Sequence, residues 1–552
     1  MKRYSDLEYL RLNKWQRFVY KLALFFVGIP KWFAKIGIAI GRFFVKLGKG
    51  IYSECKDIVM TFANGDWKTR LSYLIFGFGN AARGQIFRGV LFFLIEAVFI
   101  FYMITTGGYW LSKIGSLGTV ETYNTVDEEG FPIYVYGDNS FKILLYSVLT
   151  IFFIIAVIYT WRLNIKQNKI MEEITDSKGR RELAKACKAE IAEINASELL
   201  NKQEKEEKIK AIKASYKEQI NACGKPLRSG KQDLQSLIDD QFHKTLLALP
   251  LAGILIFTVM PIFFMILVAF TNYDANHDGL FHLFTWTGFA AFGKIFNWSS
   301  GNNAYSAAFG EILAWTLIWA FFATFTNYFL GMFVAIMINK KGIKLKKVWR
   351  TILVLTIAIP QFISLLYVSK MFSDNGIIIS FLQKLGVPNS FTFFGDATSA
   401  RVTVILINIW IGIPYLMLIS TGILMNIPAD MYESANIDGA NVWQQYMKIT
   451  LPYMIFITGP YLLTSFIGNM NNFNVIYLLT GGGPTNPAAS GASGSVGYTD
   501  LLITWLFKIT MGAESEYYMA SVIGILVFVV VSFISLIVYN IMPSTRNEED
   551  YQ

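Results

Sequence analysis

Six polar or small residues lie within two apolar stretches, each long enough to cross a membrane. They are Asn408, Gly412, Tyr415, Ser465, Asn469 and Asn472. Within each stretch the spacings of three and four place the residues on one helix face. Amides donate and accept hydrogen bonds toward hydroxyl groups, and a tyrosine ring can stack on a sugar. The two faces therefore line one solute cavity, or else they bond to each other between packed helices.

A second group of residues lies between these two stretches, in the segment ESANIDGANVWQQYMKITLP. Gly439 is predicted to take the positive φ that ends one helix and directs the next. Pro452 is predicted to stop the second helix. A helical hairpin held at a membrane face between two spans suits docking to a partner protein. Its candidate contact residues are Glu433, Ala435, Asp438, Gly439, Ala440, Ile449, Leu451 and Pro452.

The composition excludes an ordinary soluble domain. The 552 residues are 54% hydrophobic and 16% aromatic, and the mean hydropathy is +0.42. We therefore expect an all-α polytopic membrane protein. A first apolar run at 18–27 is short and followed by basic residues, so no cleavable signal peptide is predicted. Apolar runs of about 20 residues predict eight spans, at 86–106, 141–160, 245–270, 309–338, 351–372, 402–425, 454–479 and 519–542.

The distribution of Lys and Arg predicts the orientation in the membrane. The linker 340–350 is strongly basic, which is typical of a cytoplasmic loop. Counting spans outward from it places both termini, the segment 161–244 and the Glu433 hairpin in the cytoplasm. The acidic segment 127–129 then lies outside.

The net charge of +10 comes largely from residues 1–85, where basic residues alternate with aromatic ones. Such stretches suit helices in the headgroup region that contact anionic lipid, and we expect no nucleic acid. The three cysteines, Cys55, Cys187 and Cys223, fall on the predicted cytoplasmic side, so structural disulfides are not expected. The three histidines form no cluster with ligand spacing, and no metal site is predicted.

The chain divides into five expected parts. Residues 1–85 form a basic interfacial region, 86–160 two accessory spans, and 161–244 a charged cytoplasmic insertion with helical periodicity. The insertion is either a solvated addition or a regulatory, ATPase-contacting module. Residues 245–542 form a six-helix core that includes the loop 426–453, and 543–552 form a cytoplasmic tail.

Several motifs in the last 300 residues or so resemble sugar permeases. Glu-x-Ala-x-x-Asp-Gly-Ala from Glu433, with Ile-x-Leu-Pro from Ile449, resembles the coupling loop of ABC importer permeases, which fits into a groove of the ATPase subunit. Leu-Thr-Gly-Gly-Gly-Pro from Leu479 and Gly-Tyr-Thr-Asp from Gly497 are similar to sugar-importer permeases. The match is closest to the larger permease subunits of maltose and maltodextrin importers.

This resemblance implies a type I ABC importer permease core in a bacterial cytoplasmic membrane. It also implies that the six polar or small residues contact a malto-oligosaccharide delivered by an extracellular solute-binding protein. The expected partners are a second permease, forming a heterodimer, and an ATPase dimer that binds the ATP and Mg. No cofactor is expected in this chain. The outer loop 271–308 is shorter than the folded domain of enterobacterial relatives, so that domain's contacts cannot be carried over.

Three other functions compete with this interpretation. The chain could carry another oligosaccharide, such as galacto-oligosaccharides, or be an ion-coupled secondary transporter, which needs no docking loop. A membrane-embedded enzyme is disfavoured, because carboxylates in the spans are few and are expected to be unpaired, as at Glu96 and Glu311. The sequence lacks the phosphate-binding pattern Gly-x-x-x-x-Gly-Lys-Ser/Thr, so ATP hydrolysis is expected in another subunit.

Overall fold

The computed structural model describes residues 14–127, 129–175, 177–196, 202–222, 242–296, 304–340, 342–489 and 491–541. Within them, eight helical segments are long and apolar enough to cross a membrane, which confirms the predicted all-α polytopic class. They are Ile86–Ser112, Ser140–Ile174, Leu246–Val268, Ala304–Asn339, Gln361–Lys384, Ala397–Leu424, Val442–Thr480 and Tyr517–Tyr539. The expected five-part division stays a prediction, and its tail and Cys223 lie outside the described residues.

The described residues of the first part of the chain form eight helices and one strand pair. The helices and strands are α1 Lys14–Asn64, α2 Trp67–Leu71, α3 Phe78–Ala81, α4 Ile86–Tyr102, α5 Gly108–Ser112, β1 Tyr123–Val126, β2 Pro132–Val135, α6 Ser140–Ile174, α7 Ser177–Ala196 and α8 Lys202–Ala222. A π-helical turn, Met103–Gly107, joins α4 to α5. The two strands pair antiparallel, with Tyr123 opposite Val135.

The described residues of the second part form helices connected by loops. Its helices are α9 Phe242–Ile254, α10 Met260–Val268, α11 Ala290–Phe296, α12 Ala304–Phe321, α13 Asn327–Asn339, α14 Lys346–Ala358, α15 Gln361–Phe372, α16 Ile377–Lys384, α17 Ala397–Leu424, α18 Ala429–Ile437, α19 Val442–Gln445, α20 Leu451–Met470, α21 Phe473–Thr480, α22 Leu502–Met511 and α23 Tyr517–Ile541. Further π-helical turns are Leu255–Val259, Phe322–Thr326 and Tyr446–Thr450, and Pro487–Ala489 is a 3₁₀ turn.

The residues form two compact units. One comprises the chain up to Gly107 together with Thr150–Gly253, and the other comprises Gly108–Leu149 together with the chain from Ile254 onward. The first unit has a buried polar cluster. Arg83 pairs with Asp66 at 2.5 Å and donates to Asn168 at 2.8 Å. Burial of these charges is tolerated because each has a hydrogen-bonding partner.

Glu172, near the end of α6, completes this cluster. Its carboxylate accepts from the backbone N–H of Asp66 at 3.0 Å and from the hydroxyl of Thr69 at 2.8 Å. Arg162 lies more than two turns earlier on α6. It pairs with Asp57 at 2.5 Å. The expected start of the charged insertion, residue 161, therefore lies inside a helix that the unit packs around. The separate pair of charged helices, α7 and α8, begins only at Ser177. The two helices contact each other through a hydrogen bond between the Glu190 carboxylate and the Tyr216 hydroxyl.

The second unit contains the predicted site. Its core includes Trp315 and Trp319 of α12 and Val404 of α17. The helices α13 and α17 pack closely because Gly331 carries no side chain. A Cβ at Gly331 would lie 2.6 Å from the Cβ of Leu416, so a small residue is required at this crossing.

The fifth predicted span, 351–372, is not one helix. α14 ends at Ala358, Ile359 is extended with φ −81° and ψ 125°, and α15 begins after Pro360. Proline has no N–H to donate and pushes the residue before it out of helical conformation. The prediction was wrong here because an apolar run reports length but not continuity.

The insertion can be tested by two deletions that differ only in their start. Deleting 177–222 with a short Gly/Ser joint should keep the permease folded, because it removes a helix pair that packs on itself. Starting the deletion at Met171 also removes Glu172, which leaves the Asp66 N–H and Thr69 hydroxyl without their acceptor. That loss should cost about 1–3 kcal/mol. Equal melting temperatures for the two purified deletion variants would contradict this assignment.

Candidate functional site

The hairpin between α17 and α20 turns at Gly439. α18 ends at Ile437, and Gly439 has φ +77°, as the sequence predicted. Its missing Cβ would meet no atom within 4 Å, so the requirement for glycine is one of backbone conformation alone. Asn441 then begins the next helix, since its side chain accepts from the Gln444 N–H at 2.8 Å and Gln444 bonds back to the Asn441 N–H at 2.9 Å.

The hairpin exposes apolar side chains on both sides of the turn. Ile437 is 87% exposed and Trp443 is 67% exposed. Exposed apolar surface of this kind is typical of contacts with another protein or with a membrane. Trp443 was not among the predicted contact residues, although its position just after the glycine turn could have identified it. Of the predicted residues, Glu433, Asp438, Gly439 and Pro452 are exposed, and Ala435, Ala440, Ile449 and Leu451 are half-buried.

Pro452 does not stop the second helix. The chain runs from α19 through the π-helical turn Tyr446–Thr450 directly into α20, and Pro452 is the second residue of α20. The Leu451 N–H bonds to the Tyr446 carbonyl in the wide π pattern. A proline is tolerated at the first turn of a helix, where its N–H is not needed, and here the π turn makes α20 such a new start. The prediction of a stop at Pro452 is therefore wrong.

The three residues predicted on α17 have different surroundings. Asn408 is buried, and among the described residues its Nδ2 has no hydrogen-bond partner. Its backbone carbonyl accepts from Asn327 Nδ2 at 3.4 Å. Gly412 lies against the same amide, since a Cβ there would be 2.6 Å from Asn327 Nδ2. Tyr415 is 52% exposed. The face thus combines an unused amide donor with an accessible phenol ring.

The residues predicted around α20 are largely bonded within the protein. The side chain of Asn469 donates to Thr324 Oγ1 at 3.0 Å, and its backbone carbonyl accepts from Trp319 Nε1 at 3.1 Å. Asn472 donates to Asn469 Oδ1 at 3.4 Å and caps α21. The sequence left two roles open for these amides, lining a solute cavity or hydrogen bonding within the protein. These contacts are of the second kind. Both side chains are half-buried, and each amide still has a second N–H that these contacts do not use.

Ser465 connects the two helices in a different way. It hydrogen-bonds to the phenol of Tyr461, one helical turn earlier, and that phenol lies near Tyr415 of α17. The structure therefore brings Tyr415 and Ser465 into one neighbourhood. Tyr461 was not predicted, although its spacing of four from Ser465 places it on the same face.

Asn327, the first residue of α13, was also missed. Its Nδ2 bonds to the Ala323 carbonyl at 2.8 Å, and its buried Oδ1 has no partner among the described residues. An amide inside an apolar span is costly unless it lines a cavity or finds partners. The same argument that selected Asn408 could have selected Asn327 from the sequence. Together the two amides leave one donor and one acceptor unused beside Gly412.

Glu311 is not unpaired as the sequence suggested. Its carboxylate lies 3.3 Å from Arg401 of α17 and accepts from Asn486 at 2.6 Å. The Arg401 guanidinium also lies over the Trp315 ring, 4.9 Å from its centroid. This network joins α12, α17 and the loop after α21. Because these contacts already compensate the charge of Glu311, this residue is not a candidate catalytic acid.

Comparison with known proteins connects this arrangement to transport. Residues 327–547 match the family described as binding-protein-dependent transport system inner membrane component. The galactooligosaccharides transport system permease protein GanP of Bacillus subtilis is 38% identical over 330 residues, 59% of this chain and 75% of that protein. The maltodextrin transport system permease protein MalC of Streptococcus pneumoniae is 33% identical over 321 residues, 56% of this chain and 72% of that protein.

A further relative carries the same transport description. The maltodextrin transport system permease protein MdxF of Bacillus subtilis is 33% identical over 338 residues, which are 60% of this chain and 76% of that protein. A chain of a solved bacterial alginate ABC transporter is 20% identical, covering 56% of this chain and 96% of that one, with a TM-score of 0.44.

The contact between Gly412 and Asn327 predicts a specific substitution effect. In Gly412→Ala the new methyl would lie within 2.6–2.8 Å of the Asn327 amide atoms, and such overpacking costs about 1–3 kcal/mol. The control is Gly422→Ala on the same helix, where no atom lies within 4 Å. Thermal unfolding of the purified permease should show a loss only for Gly412→Ala.

Adding Asn327→Ala tests the cause of that loss. Removing the amide should make Gly412→Ala much less harmful than it is in the wild-type background, and a double-mutant cycle measures this coupling. Independent, additive effects of the two substitutions would show that the close contact is not what requires glycine.

Proposed function

This chain belongs to the family of binding-protein-dependent transport permeases, and from that membership we propose that it forms the translocation path of an ABC importer for malto-oligosaccharides. The observation that carries the substrate proposal is the face on α17 and α20. Asn408 offers an unused amide, and Tyr415 and Ser465 share one neighbourhood. Amides and phenols suit a neutral ligand that is rich in hydroxyl groups.

The chemistry assigned to each residue follows from its contacts. The exposed ring of Tyr415 provides a stacking surface and a hydroxyl. Asn408 and Asn327 supply a donor and an acceptor, while Gly412 lets the Asn327 amide approach α17. Ser465, Asn469 and Asn472 take part when their present hydrogen bonds are exchanged for sugar hydroxyls.

The Glu433 hairpin is proposed to couple this site to ATP hydrolysis in a separate ATPase dimer, which would bind the ATP and Mg. The hairpin continues through the π turn into α20, which carries Ser465 and Asn469. The stretch Val442–Met470 is about 40 Å long at about 1.5 Å per residue. Because it is continuous, a displacement of the docked hairpin is transmitted along the chain to the sugar-binding face. Sugar and ATP would favour different states of this assembly.

The same proposal sets the partners and the orientation. A single docking hairpin requires a second permease, and the extracellular solute-binding protein delivers the sugar. The basic linker 340–350 supports a cytoplasmic hairpin and cytoplasmic termini in a bacterial cytoplasmic membrane.

Galacto-oligosaccharides are a second candidate substrate. GanP, which is named for them, is 38% identical to this chain, against 33% for MalC. Amides and a tyrosine ring bind both sugar classes, so the two proposals share the same residues. The secondary-transporter alternative has no comparable support, since the exposed hairpin would have no partner.

Uptake of defined sugars by the assembled transporter tests the substrate. Vesicles should accumulate maltotriose and longer maltodextrins in preference to galacto-oligosaccharides. Tyr415→Ala should lower this uptake about tenfold or more, and Asn408→Ala less, because one neutral hydrogen bond contributes about 0.5–1.5 kcal/mol. Tyr539→Ala, an exposed tyrosine on the last helix, is the control and should change nothing. Preferred uptake of galacto-oligosaccharides would replace the first proposal by the second.

Gly439 tests the coupling. Its φ of +77° is inaccessible to proline, whereas asparagine tolerates positive φ. Gly439→Pro should therefore abolish substrate-stimulated ATP hydrolysis and transport in a complex that still reaches the membrane, and Gly439→Asn should retain most of both. Glu433→Lys should also uncouple, because it reverses a charge expected to bond to a basic partner. Normal stimulated hydrolysis in assembled Gly439→Pro would refute the coupling role.

A further inference from the structure

The hairpin formed by β1 and β2 presents aromatic side chains without covering them. All residues of both strands are exposed, and the flanking Phe131 and Tyr136 are 63% and 75% exposed. A two-stranded ribbon is marginally stable by itself in water. Apart from the ring contacts of Tyr134, these exposed aromatic side chains add little to its stability, so the folded unit explains little of their exposure.

The base of this hairpin is fixed firmly to the rest of its unit. The carboxylate of Asp138 accepts from the Lys113 ammonium and from the backbone N–H of Thr119 at 2.9 Å. Burial by itself raises the pKa of Asp138, but these hydrogen bonds outweigh it and hold the pKa below its usual value. Ser140 donates to the Leu117 carbonyl at 2.6 Å. The ribbon is therefore held in one place.

The loop 271–286 supports one side of the ribbon. The Tyr134 ring packs 5.9 Å from the Phe281 ring, and the Thr122 N–H bonds to the Leu280 carbonyl at 3.4 Å. Leu117 and Ile143 share a buried cluster with Phe284 of the same loop. The hairpin is thus built onto the end of the permease core that is expected to face outward.

The tip of the hairpin is acidic in sequence, and hydrogen bonds connect its described residues. Asp127 Oδ1 accepts from the N–H groups of Glu129 and Phe131 at 3.0 and 2.8 Å, and Gly130 has φ +85°. Between Lys113 and Lys142 the sequence has five acidic residues and no lysine or arginine. An anionic lipid surface repels such a segment, which disfavours insertion of the aromatic rings into the headgroup layer.

We propose that this hairpin is a docking surface for the extracellular solute-binding protein, a proposal that rests on the importer function. Tyrosine and phenylalanine side chains with an acidic rim match the composition of protein interfaces. The partner surface should carry an apolar patch bordered by basic residues. Because the ribbon is fixed to the core, docking there would hold the partner over the expected outer opening.

Photo-cross-linking in intact cells tests the surface. A photoreactive phenylalanine analogue replaces Tyr136, and the control replaces Phe391, an exposed aromatic residue on another expected outer loop. The expected result is a covalent adduct with a solute-binding protein from position 136 and none from position 391. Combining Glu129→Lys with Phe131→Ser in the Tyr136 probe chain should lower the adduct yield about tenfold.

The possible results distinguish failure of the docking proposal from failure of the malto-oligosaccharide proposal. An adduct with lipid or with the second permease, or no adduct in an assembled transporter, overturns the docking proposal. Should the double variant assemble poorly, Glu129→Lys alone supplies the comparison, and an unchanged yield in it and in the double variant also overturns the proposal. If the captured solute-binding protein binds galacto-oligosaccharides and no maltodextrin, the surface stands and the malto-oligosaccharide proposal fails.

Discussion

An amide inside an apolar membrane span is costly unless it finds a partner or lines a cavity, and this constraint shapes the second unit. Asn327 is accommodated only because Gly412 leaves room for it on the facing helix. The side-chain amide of Asn469 is accommodated because it donates to Thr324 and accepts from Asn472. Helices that cross the bilayer gain little from burying apolar surface against each other, since lipid is equally apolar. The polar contacts therefore specify which helix faces meet, and the apolar residues fill the space around them.

The sequence predicted the number and type of the spans because length and hydropathy determine whether a helix can cross a bilayer. It did not predict where helices break. Pro360 interrupts a predicted span, whereas Pro452 follows a π turn and lies within the first turn of α20. A proline alone does not reveal which case applies, because the outcome depends on whether the preceding turn has already changed its hydrogen-bond pattern.

The candidate site was predictable in part for a similar reason. Asn408 and Tyr415 stood out because polar groups are rare in an apolar run. Asn327 was missed although Thr324 and Gly331, at spacings of three and four, lie on its face. Its significance comes from the crossing of α13 over α17, which depends on Gly331 and Gly412. Spacing along one helix cannot report a contact made between two.

The partners that the amides have in this conformation bear on transport itself. In the proposed site, a sugar that displaced Thr324 from Asn469 would exchange one neutral hydrogen bond for another, and the net change in free energy would be small. At Asn408 and Asn327 the sugar would instead satisfy a buried donor and acceptor that have no partner among the described residues, which is favourable. A proposed site that combines both kinds of group would bind sugar through a few contacts and would offer alternative partners for the remaining amides. Affinity stays moderate in such a site, and a translocation path requires this because it must release what it binds.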